Sequence, residues 1–195
     1  MMERLMIIPG VVWTITTSVG VIVSPPRTEE TLTQKAERTF RLRLTEKEQN
    51  LLDDLLITMI KIKGESGVDV LVLLVGSFAR SLHGKNFDFR QPKDIDLYVV
   101  SSAEPGSKVQ EEIARRLEEG IISLLEEQKI PLERGHCFDG SIDLYFRTQK
   151  QPDLRPFDIT VNRFNGPDIE GHLANERETG KPYFVLLDTR DGQDK

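Results

Sequence analysis

Apolar residues recur along this chain with two alternating periods. From Thr45 the period is helical. Thr45 with Glu48 three residues later reads as a capping box, and Leu51, Leu52, Leu55, Leu56, Met59 and Ile60 follow on one stripe. This predicts an amphipathic helix over 46–62, stopped by Gly64 and Gly67. Val68 to Val75 is then almost uninterrupted apolar, the mark of a strand covered on both faces. Gly76-Ser77 turns into a helix start, FARSLH, and a polar loop leads to a second strand, DIDLYVV, from Asp94 to Val100. Ser107 with Gln110 caps a long helix carrying Val109, Ile113, Leu117, Ile121 and Leu124 on one stripe. Strand-like runs at Ile142–Phe146 and Phe157–Val161, a short helix near 168–178 and an apolar run from Tyr183 to Leu187 complete the chain. Strands alternating with helices predict an α/β (α+β) fold.

Length and composition narrow the class. A chain of 195 residues can bury a core without disulfides or a structural metal. Its 38% hydrophobic and 30% charged residues exclude collagen-like, coiled-coil and disordered classes. Cys137 is the single cysteine, so no internal disulfide forms and a cytoplasmic location is expected. With 26 basic against 32 acidic residues, the chain lacks a general field for holding nucleic acid.

Residues 5–23 carry no charge, but Pro9, Gly10, Gly20 and four hydroxyl residues interrupt them. They read as one or two strands or an extension, not as a membrane span. Ser24 to Glu30 reads as a linker. The expected organisation is therefore an apolar extension and linker over 1–30, one domain over 31–188 and a polar tail over 189–195.

The chemistry concentrates between Val75 and Tyr98. On a strand, Asp94, Asp96 and Tyr98 share one face while Ile95, Leu97 and Val99 pack the other. Neighbouring carboxylates repel unless a cation sits between them, and a divalent, oxygen-loving ion such as Mg²⁺ relieves this. The plainer alternative is a salt-bridged strand edge with Lys93 or Arg90 supplying the charge. Gly76-Ser77 adds a second feature. Glycine at the end of a buried strand permits close approach, and the helix start offers unpaired N–H groups to a phosphate. Arg80, one turn into that helix, is placed either to touch a phosphate or to form a surface salt bridge. His83, His136 and His172 have no metal-ligand spacing, and His136-Cys137 has no identifiable partner base.

In the order apolar strand, Gly-Ser, spacer and apolar-flanked D-x-D, the run VLLVGSFARSLHGKNFDFRQPKDIDLYVV resembles the nucleotidyltransferase superfamily of DNA polymerase β type, in its minimal form. Ser81 and Lys93 depart from the residues frequent in small members. The resemblance covers roughly 45–187. It implies a mixed β-sheet flanked by helices and transfer of a nucleoside monophosphate from an NTP, with release of pyrophosphate. It implies two Mg²⁺ ions on Asp94 and Asp96 and a triphosphate cradled by Gly76 and Ser77.

The resemblance also implies a third carboxylate. Asp143 in SIDLYF and Asp158 in PFDITV both have apolar flanks on a strand. Asp158 is favoured, because HLANERETGKPYFVLL after it looks like the helix and strand that follow the third acid in small relatives. Asp143 stands as the alternative. The expected enzyme takes an NTP and an acceptor not identified by the sequence: an RNA end, a protein or a small molecule. A second copy of the chain or a small helical partner would complete acceptor binding, with Ile7 to Val23 as the contact. Two rivals are a metal-dependent glycosyltransferase using D-x-D and a non-catalytic nucleotide- or partner-binding domain of the same fold.

Overall fold

The computed structural model describes residues 38–83, 92–134, 143–162 and 166–190. Helix α1 (Glu46–Ser66) begins on the expected capping box: Thr45 accepts from the Glu48 N–H, and the Glu48 carboxylate accepts from the Thr45 N–H. It runs through Gly64 and ends at Gly67, whose left-handed backbone (φ 71°) lets its N–H reach the Lys63 carbonyl. Gly64 is therefore not a stop. A single helical glycine weakens a helix without ending it.

Strand β1 (Val70–Leu74) is buried throughout and leads directly into α2 (Gly76–His83). Strand β2 (Ile95–Ser101) follows, then α3 (Lys108–Glu127), capped by Ser107. After α3 come β3 (Leu132–Arg134), β4 (Asp143–Thr148), β5 (Phe157–Asn162), α4 (Ile169–Thr179) and β6 (Phe184–Asp188). The six strands form one mixed sheet in the order β3-β4-β5-β2-β1-β6. Only β2 and β5 pair in parallel; the other four pairings are antiparallel. This is the α/β architecture the sequence predicts, a mixed sheet flanked by helices. The short strand β3 is an addition, because three residues show no readable periodicity.

Strand alternation divides the sheet into two faces. Val70, Val72, Leu74, Ile95, Leu97, Val99, Phe157, Ile159 and Val161 face the main core, where α1 and α3 supply Leu51, Leu52, Leu55, Met59, Ile113, Leu117 and Ile121. On the opposite face, Leu71, Leu73 and Val100 pack under Ile169 and Leu173 of α4. Each fully buried leucine or isoleucine contributes about 1.5–3 kcal/mol.

The expected helix stripes shift slightly. Ile60 and Val109 are exposed, while Ile62 and Gln110 are buried. Gln110 is buried because both ends of its amide are used: its oxygen accepts from the Gly106 N–H and its nitrogen donates to the Gly166 carbonyl. Residues 5–23, His136 and Cys137 lie outside the described residues. Among the described residues, no helix is long and apolar enough to cross a membrane.

Candidate metal centre

Three aspartates meet at one end of the sheet. Asp94 lies in the bend entering β2, and Asp96 stands on that strand in parallel register with Asp158 of β5. Partners in register share a face, so the Asp96 and Asp158 side chains emerge side by side. One carboxylate oxygen from each of Asp94, Asp96 and Asp158 lies within 4.8 Å of the other two. The structure thus unites Asp158, not Asp143, with the D-x-D pair. The backbone of Asp143 pairs with Asn162, four residues further along β5, or roughly 13 Å away at the usual rise per residue.

The turn between β1 and α2 is built against this cluster. The Val75 N–H donates to the Asp96 carbonyl at 2.9 Å, tying the turn to β2. Gly76 has φ 68°, and a β-carbon there would lie 2.0 Å from Oδ2 of Asp96. Both its backbone conformation and its neighbour therefore require glycine. The Ser77 N–H donates to the Asp96 carboxylate, so the start of α2 holds the acid directly. Ser77 Oγ is buried and has no hydrogen-bond partner among the described residues. Arg80 is exposed, with its charge within electrostatic reach of Asp96.

Crowding sets the electrostatics. Burial first, then the charges of Asp94 and Asp158, push the Asp96 carboxyl up to about 6. Burial also raises Asp158, against the hydroxyl of Tyr145 and the charge of Arg147. Among the described residues the cation bonded to the cluster is Arg147 rather than Lys93, and Arg90 lies outside them: the Arg147 Nη1 donates to Asp158 Oδ2 at 2.7 Å. The other oxygen, Oδ1, is buried with no hydrogen-bond partner among the described residues.

Sequence reasoning passed over two arginines. Arg147 stands on β4 directly opposite Asp158, and its signal was the alternation of Tyr145 and Arg147 in LYFRT. Arg155 lies three residues before Asp158. It bonds both carboxylate oxygens of Glu48, donates to the carbonyls of Arg43 and Pro92, and covers the Phe78 ring at 5.2 Å. One side chain thereby braces the start of α1, the segment entering Asp94, the residue after Ser77 and the approach to Asp158. His172 is not a member of the acid cluster; its ring stacks on Tyr98 with centroids 4.3 Å apart.

No protein-family model matches this chain, and a search of curated proteins finds no match.

Proposed function

We propose that this chain is a divalent-metal-dependent nucleotidyltransferase that moves a nucleoside monophosphate from an NTP to an acceptor hydroxyl and releases pyrophosphate. The observation that carries this reading is the meeting of Asp94, Asp96 and Asp158 within 4.8 Å, beside a glycine whose β-carbon would collide with the Asp96 carboxylate.

The residues present fit a divalent ion. The donors are all carboxylate oxygens, the set that Mg²⁺ takes, and one buried oxygen of Asp158 has no hydrogen-bond partner among the described residues. Asp94, Asp96 and Asp158 would hold the metal. Bound there, Mg²⁺ supplies charge neutralisation at the phosphates and a lowered pKa for the acceptor hydroxyl.

The chain's own groups do the positioning. Ser77 and Gly76 fix the Asp96 carboxylate, and Arg147 and Tyr145 fix that of Asp158. Arg80 adds an exposed positive charge on the same turn for a triphosphate. Arg155 ties the segments that carry Asp94, Ser77 and Asp158 to the start of α1. In this reading the rate enhancement comes from orientation and electrostatics, without a covalent intermediate on the protein. A second copy of the chain or a small helical partner completes the acceptor site.

The test is incubation with α-labelled NTPs and Mg²⁺ in the presence of RNA ends, candidate proteins and small hydroxyl compounds. Label is expected on one acceptor class, and is expected to vanish in Asp94→Ala and Asp96→Ala with the circular dichroism spectrum intact. Transfer that survives both substitutions sinks the proposal. Preferential binding of nucleotide sugars would favour the glycosyltransferase reading. NTP binding without pyrophosphate release would favour a non-catalytic domain.

A further inference from the structure

The ion pair between Arg147 and Asp158 joins residues facing each other across antiparallel strands. Asp158 retains only 11% of its side-chain exposure, whereas Arg147 retains 38%. The acid is fixed in the sheet and the base reaches it from the solvent side. The guanidinium also holds the Tyr145 hydroxyl at 3.5 Å and feels the charge of Asp94. It is therefore a counter-charge to the cluster as a whole and not to one residue alone. Its partner is only half engaged: Oδ2 accepts from Arg147, while Oδ1 is buried without a partner among the described residues.

We propose that Arg147 is a built-in counter-cation that competes with the divalent ion for the third carboxylate and so sets the metal affinity of the site. This rests on the metal-centre reading above. Without an ion, Arg147 offsets part of the repulsion among three carboxylates and holds Asp158 in its register position. When an ion binds, the positive charges of ion and guanidinium repel, and the half-buried arginine, on the solvent side of the pair, is the member able to withdraw into water. Coupling of this kind is reciprocal: whatever Arg147 subtracts from metal affinity, the metal subtracts from the Arg147–Asp158 pair. The role is one of positioning and tuning.

The experiment titrates Mn²⁺ alone and Mg²⁺ alone into the full chain by calorimetry, without nucleotide. Arg147→Ala is expected to bind the ion more tightly by about three- to tenfold, the scale of a partly exposed charge pair. Arg147→Lys keeps the charge and is expected to stay close to the parent. In an Asp158→Asn background the gain from Arg147→Ala is expected to disappear, as a double-mutant cycle requires of a coupled pair. Arg147→Gln, similar in length but uncharged, carries the same expectation as alanine should that variant fail to fold.

Equal or weaker binding by the uncharged variants overturns the proposal, as does a gain that persists undiminished with Asp158→Asn. If no variant binds either ion, the metal-centre reading falls too. If the affinities shift as expected and no label is ever transferred, this inference stands and only the nucleotidyltransferase reading fails.

Discussion

Gly76 and Asp96 approach so closely that a β-carbon on the glycine would lie 2.0 Å from the aspartate's Oδ2. The turn that opens α2 and the acid on β2 are thus one unit, even though nineteen residues separate them in the chain.

Gly76→Ala is accordingly expected to damage the site more than the fold. Left-handed backbone at alanine costs about 1–2 kcal/mol, and the carboxylate must also move aside. The expected result is a drop of a few degrees in Tm together with about a hundredfold loss of label transfer, the scale set by a 1 Å misplacement. Thermal melts and transfer assays on the same preparation measure both.

Asp96 makes stability depend on pH. Its folded value of about 6 lies above its ordinary 3.8, so the native state holds the proton more tightly. Stability from this group is fully present below about 4, falls as pH rises, and is lost above about 6. Asp96→Asn, whose side-chain oxygen can still accept from the Ser77 N–H, is expected to raise the Tm by a few degrees at pH 7 in chelator. It should also flatten the profile between pH 4 and 6. Identical slopes for parent and variant would contradict this.

Asp143 and Asp158 are separable by substitution. Asp158→Asn is expected to weaken Mn²⁺ binding by at least about tenfold, the loss that even an outer-sphere partner of a metal site causes. Asp143→Asn, in register with Asn162 well along the strand, is expected to leave it unchanged. Calorimetric titration of both variants decides the assignment.

Glu48 is 1% exposed and its partner Arg155 has a side chain 14% exposed. Burial pushes the Glu48 carboxyl up, but hydrogen bonds from the Arg155 side chain and the Arg155 and Thr45 N–H groups outweigh it and hold it below the usual range. Removing one partner of such a pair strands the other charge, so Glu48→Ala is expected to cost about 3–5 kcal/mol in urea unfolding. Its stabilisation is present above the ordinary value of 4.5 and is lost as pH falls below it.

Local chemistry was legible in the sequence wherever the deciding residues stand within four positions of one another. The Thr45–Glu48 box, the Ser107 cap and the buried run of β1 all follow from the repeat of a helix or strand, which needs no knowledge of the rest of the chain. The same repeat placed Gly76-Ser77 at a strand-to-helix turn. It did not reveal that the Ser77 N–H binds Asp96. The resemblance favoured Asp158 over Asp143, but its place beside Asp96 comes from the strand order β4-β5-β2, which pairs Asp96 with a residue 62 positions later. Arg147 and Arg155 gained their partners the same way: one across an antiparallel register, the other across 107 positions to Glu48. The physical reason is common to all of them. Periodicity is set by backbone geometry and is written residue by residue, whereas strand pairing and buried ion pairs are chosen by the packing of distant segments, which exists only once the sheet has closed on its helices.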